Sequence, residues 1–451
     1  MNNVIFENNR ISKKNISPAD VHNVLRKVML VDGFEFVLDL KKSSGLRLAD
    51  AKTGTEYLDF FSFFASSPIG MNHPKLNTPE FREKLAFAAL NKPSNSDVYT
   101  TEMAEFVDIF TRTAKPDYFK YLFFVDGGAL AVENGLKVAF DWKVRKNFAK
   151  GYKEEKGHQV IHFREAFHGR SGYTMSLTNT DPTKVLYYPK FNWPRITNPK
   201  IKFPLEENLN EVIKLEQQAI EEIHAAIKNN KDDIALIIIE PVQGEGGDNF
   251  FRKEFFVKLR EIADENEILL MFDEVQSGIG ITGRMWAHEH YVQPDIISFG
   301  KKVQTCGIMV SGRIDDVEEH CFRKSSRINS TWGGNLTDMV RAAKYFEIIN
   351  EEKLVENSAN LGKYLLKQLE AIQGEYNGIV SQARGLGLMC SFDLPDTETR
   401  NNFLKELYKN HLIMLGNGSR SVRFRPPLTV SIEEIDECLT LIRDGLKKIT
   451  G

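Results

Sequence analysis

The sequence predicts an α/β protein built on a mostly parallel sheet, with a smaller α+β unit beside it. Three observations carry this. Short apolar or β-branched runs alternate with longer amphipathic stretches through the middle of the chain; those runs do not alternate polar with apolar; and the texture changes after Thr331-Trp332-Gly333-Gly334. A strand apolar at every position is buried on both faces, which is the condition of a parallel sheet covered by helices on either side.

Taken in order, residues 121–125, 160–163, 235–239, 268–272 and 296–299 read as strands bounded by Gly, Pro or Asp. Between them, Val212, Leu215, Ala219, Ile223 and Ile227 recur at helical spacing with charged residues opposite, and Phe255, Phe256, Leu259 and Ile262 do the same. Beyond residue 335 come helical patterns at 336–350 and 352–373, strand-like pieces at 385–393 and 421–424, and an amphipathic helix at 432–448. The expected division is a large domain over 76–335 and a small domain assembled from 1–75 together with 336–451.

Composition narrows the function classes. Of 451 residues 42% are hydrophobic and 27% charged, so a globular core is available. Lys plus Arg number 59 against 62 Asp plus Glu, a net charge of -3, which gives no support to a nucleic-acid partner. No apolar run approaches the ~20 residues of a spanning helix, so no membrane partner is expected. Residues 1–20 are polar with no apolar export core, and the cytoplasm is the expected location. Four cysteines occur without a CxxC pair, which argues against disulfides or structural zinc. His288 and His290 lie two apart, but nothing completes a ligand set, so they read as core or surface histidines and no metal is expected.

The central chemical cue is Ile268-Leu-Leu-Met-Phe-Asp273-Glu274-Val-Gln276, which sets a carboxylate at the C-terminal edge of a buried strand, where open α/β sheets bind ligands. A second strand, Asp295-Ile-Ile-Ser-Phe-Gly300, runs into Lys301-Lys302. Alone, the Asp reads equally as a helix cap and the lysine doublet as a charged turn. Their spacing of 28 leaves room for one strand-helix-strand step, placing acid and amine on adjacent strand ends. Pyridoxal phosphate needs that pair: its aldehyde takes a lysine amine, and its ring nitrogen takes a buried anion. It also needs a phosphate cradle. Phe124-Val125-Asp126-Gly127-Gly128-Ala129 supplies a strand, two glycines and a helix start with free N–H groups, although alone it is only a Gly-rich turn.

With these residues in view, the chain resembles the subgroup-III pyridoxal-phosphate aminotransferases. Phe167-His-Gly-Arg170, Glu240-Pro-Val-Gln-Gly-Glu245, Asp273-Glu-Val-Gln276, Phe299-Gly-Lys301, Thr331-Trp-Gly-Gly-Asn335 and Arg423-Phe-Arg-Pro-Pro-Leu428 occur in the family's order. Gly127-Gly-Ala-Leu-Ala-Val-Glu133 departs from the common Ser-Gly-Thr-Glu-Ala pattern and is similar to L-lysine 6-transaminases, as are Phe63-Phe-Ala-Ser-Ser67 and Asn329-Ser-Thr-Trp332. The missing Thr puts one hydroxyl contact to the phosphate in question.

The resemblance implies the fold-type-I aminotransferase architecture, with a seven-stranded sheet in the large domain, and pyridoxal 5'-phosphate as cofactor. It implies that Lys301 condenses with the aldehyde, that Lys302 is structural, that Asp273 pairs with the ring nitrogen, and that Gln276 lies near the ring oxygen. Phe167 stacks on the ring, His168 positions its backbone, and Gly128 and Ala129 give phosphate amides. Thr331 reaches the phosphate across a homodimer, with Asn329 close to the substrate. Arg170 clamps the carboxylate remote from the reacting carbon, Arg423 the α-carboxylate of an oxo acid, and Glu245 neutralises Arg423 when a terminal amine reacts. Glu240 lines the pocket near Gln276, and Arg425 is a structural decoy. The implied reaction moves the ε-amino group of L-lysine to 2-oxoglutarate, giving 2-aminoadipate 6-semialdehyde, which cyclises, and L-glutamate. The same motifs serve ornithine, 4-aminobutyrate and other ω-amino acids. A more distant alternative is a nicotinamide-dependent dehydrogenase, because Ser277-Gly278-Ile-Gly280-Ile-Thr-Gly283 fits GxGxxG; its glycines, however, start four residues after the strand.

Overall fold

The computed structural model describes residues 15–450. A seven-stranded sheet runs in the order Phe119–Val125, Cys306–Ser311, Ile296–Phe299, Leu269–Asp273, Ile234–Ile239, Gln159–Phe163, Arg195–Ile196. Within it Cys306–Ser311 is antiparallel to both neighbours, and every other pair is parallel.

The central strands are buried at every position, so each face must be covered. Helix Gly128–Ala149 covers one face, with Val132, Leu136 and Ala139 clustered with Leu236, Ile238, Met271 and Ile296. Helices Leu205–Asn229 and Lys253–Glu265 cover the other, with Ala219, Ile223, Phe255, Phe256 and Leu259 against Ile237, Ile239, Leu270 and Phe272. Successive residues of one strand thus serve opposite layers. Each Ile or Leu withdrawn from water in this way contributes about 1.5–3 kcal/mol before chain entropy is set against it.

Two smaller sheets complete the chain. One is antiparallel, in the order Ser381–Leu386, Met389–Asp393, Ser421–Phe424, Leu415–Asn417. The other joins Arg47–Ala49 and Glu56–Asp59 to Leu412–Ile413, with Leu58 beside Leu412, so early and late parts of the chain share a sheet. Helices Leu336–Glu351, Leu354–Glu375, Thr397–Lys409 and Ile432–Thr450 belong to the same C-terminal part.

All five expected strands are present, with ends within two residues of expectation. Two expectations are corrected, and the strand Cys306–Ser311 was not expected. No α-helix lies between Leu269–Asp273 and Ile296–Phe299; the link is turns and one 3-10 turn, Ala287–His290. Backbone doubles back there because Gly278 sits against the Trp286 ring, where a Cβ would come within 2.6 Å. Residues 385–393 are a hairpin rather than one strand, reversing at Gly387 with φ 57°. The strand Cys306–Ser311 carries only Ile308, Met309 and Val310 as an apolar signal, and its Gly307 is required where a Cβ would meet Phe123 O at 2.2 Å. Residues 1–14, part of the expected polar N-terminus and small domain, lie outside the described residues. Among the described residues no helix is long and apolar enough to cross a membrane, and no group of three or more His, Cys, Asp or Glu could hold a metal ion.

Candidate active site

The strands carrying Asp273 and Lys301 are neighbours, with Asp273 paired to Ser298 in register. Their C-terminal ends open on a cavity of about 330 Å³ lined by Gly128, Ala129, Phe167, His168, Glu240, Asp273, Gln276 and Lys301, with Val275 and Cys306 completing the wall. One cavity thus receives an amine, a carboxylate, an aromatic face and a helix start.

Lys301 leaves its strand with φ 47° and points into that space. Burial, with the positive charges of Arg423 and Arg425 nearby, pulls its amine down to about 8. A useful share of it is therefore neutral and nucleophilic near pH 7. Asp273 is held by three groups: Oδ1 accepts from Ser298 Oγ and from the Val275 N–H, both at 3.1 Å, and Oδ2 lies 2.8 Å from His168 Nδ1. His168 Nε2 is buried without a partner.

Glu240 accepts from the N–H groups of Phe167 at 2.9 Å and Gly244 at 3.2 Å, which fixes the Phe167 loop over the cavity. Burial and the nearby Asp273 charge push its carboxyl well above the usual range, against the two N–H bonds and the Lys301 amine, which favour its charged form. The cradle begins at Gly127, φ 101°, which caps helix Gly128–Ala149 without any side-chain bond, leaving its first N–H groups open. A Cβ on Gly128 would press Val275 Cγ1 at 3.1 Å, and one on Gly169 would strike Ala129 Cβ at 2.5 Å. Gly169, with φ 121°, leaves no room for a side chain, whereas at Gly128 the Val275 side chain would have to give by a few tenths of an ångström.

Arg423 lies on Ser421–Phe424, the strand that pairs with Met389–Asp393. Its Nη1 is 3.0 Å from Glu245 Oε2, and Lys184 Nζ is 2.6 Å from Glu245 Oε1. Burial alone would raise the Glu245 carboxyl, but these two cations outweigh it and hold it below its ordinary value. Behind them Arg425 is wholly buried: it donates to both carboxylate oxygens of Asp248, and its Nε and Nη2 reach Gln276 Oε1 at 3.1 and 2.9 Å. With its oxygen so occupied, Gln276 has only Nε2 left to offer as a donor.

The donor set fits pyridoxal 5'-phosphate: a buried amine of lowered pKa, a buried carboxylate held open by three donors, and an uncapped helix start, all on one cavity. The family Aminotransferase class-III matches residues 29–446. The L-lysine-epsilon aminotransferase of Mycobacterium tuberculosis is 51% identical over 96% of this chain and 97% of its own. That match decides the family. The chain belongs to the class-III aminotransferases. The Streptomyces clavuligerus L-lysine-epsilon aminotransferase is 48% identical over 96% of each chain. The solved lysine aminotransferase of M. tuberculosis superposes with a TM-score of 0.94 at 50% identity, covering 96% of this chain and all of that one. The cofactor of this class-III aminotransferase is pyridoxal phosphate, and its fold is the fold-type-I architecture.

For the class-III assignment, the structure gathers Gly128, Ala129, Phe167, Glu240, Asp273, Gln276 and Lys301 on the cavity, with Arg423 and Glu245 paired beside it. Arg170 is exposed, its guanidinium 6.0 Å from the Phe167 ring. Asn329 and Thr331 are exposed on a loop outside the cavity of their own chain. The Lys301-Lys302 doublet is no solvated turn: Lys302 is buried, donating to Gln276 O at 2.6 Å and Ala65 O at 3.3 Å. His168 does more than place its backbone, since its ring holds Asp273. Arg425 is structural, as expected: buried against Asp248 and outside the cavity lining, it holds Gln276. Asp248, Lys184 and Cys306 were not singled out by sequence; only contacts between distant segments disclose them. Ser277–Gly283 opens no helix, and Gly283 packs on Ala359 while Gly280 faces Leu428, which removes the dinucleotide reading. His288 is a core residue, bonded to Glu274 at 2.8 Å and Tyr118 at 2.7 Å.

Proposed function

We propose that this chain transfers the ε-amino group of L-lysine to 2-oxoglutarate, forming 2-aminoadipate 6-semialdehyde and L-glutamate. The single observation that carries this reading is the near-full-length identity to the L-lysine-epsilon aminotransferases. The pairing of buried Arg423 with half-buried Glu245 supports it: a substrate end with no α-carboxylate would leave Arg423 uncompensated, and Glu245 supplies the missing charge. When an oxo acid binds, its carboxylate takes Arg423, and Glu245 keeps Lys184 as a partner.

Bound here, pyridoxal phosphate supplies an aldehyde that condenses with amines and a protonated ring that accepts the electrons of a broken C–H bond. Asp273, fixed by His168 and Ser298, keeps that ring nitrogen protonated. Gly128 and Ala129 offer N–H groups to the phosphate, Phe167 covers the ring, and Gln276 Nε2 donates to the ring oxygen. Lys301 Nζ would take the proton from the ε-carbon of lysine and deliver it to the carbon that carried the cofactor's aldehyde; in the second half-reaction it would move a proton the opposite way, onto the α-carbon of the oxo acid. Arg170 holds the far carboxylate. Glu240 lines the pocket, and its two accepted N–H bonds keep Phe167 and Gly244 in place.

Thr331 and Asn329, exposed on their own chain, serve the active site of a second copy, so the working unit is a homodimer. The division into a large domain over 76–335 and a small domain from both chain ends belongs to this reading, as does a cytoplasmic location.

A donor panel tests the assignment: lysine, ornithine and 4-aminobutyrate with 2-oxoglutarate, measuring glutamate and trapping the cyclised product. Lysine should be preferred at least about tenfold in kcat/KM. Preference for ornithine or 4-aminobutyrate by that margin would refute lysine as donor.

A further inference from the structure

Lys301 has φ 47°, and Gln304, three residues on, has φ 71°. Left-handed backbone favours glycine, and neither residue is one. Between them lies a single 3-10 turn, Lys301–Val303, closed by the Val303 N–H to Gly300 O at 3.1 Å and the Gln304 N–H to Lys301 O at 2.8 Å. Strain of this kind persists only where surrounding groups over-determine the backbone.

The Gln304 side chain is such a group. Its Nε2 donates to Lys301 O at 3.1 Å and to Ser66 O at 2.8 Å. Both partners are carbonyl oxygens, so the NH2 end of the amide must face them, and it has one hydrogen for each. The Lys301 carbonyl therefore takes two donors from one residue, main chain and side chain.

Ser66 is a firm anchor for this bond. It follows a left-handed turn in which Ser62, Phe63, Phe64 and Ala65 have φ of 40°, 53°, 60° and 64°. Asp59 Oδ1 holds the start of that turn, accepting the N–H groups of Phe61 at 2.9 Å and Ser62 at 2.7 Å. Ser62 Oγ ties it to Arg425 O at 2.6 Å. Lys302 Nζ donates to Ala65 O at 3.3 Å and to Gln276 O at 2.6 Å. The chain around Lys301 is thus stapled twice to the same turn, once through Lys302 and once through Gln304. A glycine at 304 would take up φ 71° far more readily, so what glutamine adds at this position is its amide.

We propose that Gln304 is a positioning residue for Lys301: its amide pins the Lys301 carbonyl to the segment of Ser66 and so holds the left-handed backbone that directs Lys301 Nζ into the cofactor cavity. The role concerns capture of the cofactor and is the same whichever amine donor the enzyme uses.

Apoenzyme mixed with saturating pyridoxal 5'-phosphate reports the capture step, in which Lys301 Nζ bonds to the aldehyde carbon and the aldehyde oxygen leaves as water. Gln304→Met keeps the length of the side chain and removes both donors, while Gln304→Gly removes the donors and relieves the strain. Both variants should slow the rise of visible absorbance at least about tenfold. The pH at which the rate levels off should stay that of wild type, because Gln304 carries no charge. Deoxypyridoxine phosphate, the cofactor without its aldehyde, uses the cradle and Asp273 but not Lys301, and should bind both variants as it binds wild type. Capture at the wild-type rate in Gln304→Met overturns the inference. Slow capture in Gln304→Met beside wild-type capture in Gln304→Gly also overturns it, since the defect would then lie in backbone strain and not in the lost amide. Binding of deoxypyridoxine phosphate that weakens in step with capture overturns it as well, because Gln304 would then support the whole cavity and not Lys301 alone.

Discussion

Lys301 shows how one residue's surroundings set its chemistry. An amine in water is protonated at neutral pH, whereas burial beside Arg423 and Arg425 brings this one down to about 8. Only the neutral form attacks an aldehyde, so a lowered value enlarges the reactive fraction. At pH 7 that fraction is about 300-fold larger than for an ordinary lysine. The rate of cofactor capture by apoenzyme should rise about tenfold per pH unit below 8 and level off above it. Stopped-flow absorbance would measure this, and a rise continuing to about pH 10 would count against the lowered value. His168 acts at one remove, through Asp273. Replacing it as His168→Phe deletes a hydrogen bond to a charged group, expected to cost about 1.5–3 kcal/mol and so about 10- to 100-fold in kcat/KM. Both half-reactions should suffer alike, because Asp273 serves both; a loss confined to one would refute this role.

At the scale of elements, the site is assembled from strand ends that the chain delivers in a different order from the one in which they stand. Helix Gly128–Ala149 supplies the cradle, the parallel strands supply Asp273 and Lys301, and Ser421–Phe424 brings Arg423 from the C-terminal sheet. The Arg425–Asp248 pair fastens that last strand to the cavity through Gln276. Arg425→Leu would leave Asp248 buried and unpaired, at about 3–5 kcal/mol. A lower denaturation midpoint should therefore appear in Arg425→Leu and be partly restored in the double variant with Asp248→Asn. If the double variant is no more stable than the single one, the cost is one of packing rather than of an unpaired charge.

For the whole molecule, the unusual surface is apolar. Phe87, Leu90, Val98, Tyr99, Tyr187, Tyr188 and Trp332 are all exposed on the isolated chain, and Ser94 and Ser96 bond to the backbone of Ser330 and Thr331. A second copy of the chain covering such residues accords with the proposed dimer. Sedimentation should give twice the monomer mass, and Thr331→Val should weaken cofactor retention with the dimer intact. A fully active monomer would refute the shared site.

The sequence by itself determined the five parallel strands, because strands buried on both faces write themselves as unbroken apolar runs. It also singled out Lys301, Asp273 and the Gly127-Gly128 turn as candidates, since the chemistry of one cofactor demands those residue types at strand ends, and Lys301, Asp273 and Gly128 line one cavity. Tertiary structure alone decided the rest. The reversed strand Cys306–Ser311 is short of apolar residues and owes its place to partners on both sides. Arg425 and Arg423 are two letters apart and chemically identical, and alternation alone would put them on one face; which one meets Glu245 and which one Asp248 is decided by the strand's end at Phe424 and by loops about 180 residues away. The left-handed turn at Ser62–Ala65 has no glycine to announce it, because its conformation is imposed by the groups clamped around it and not preferred by its own residues.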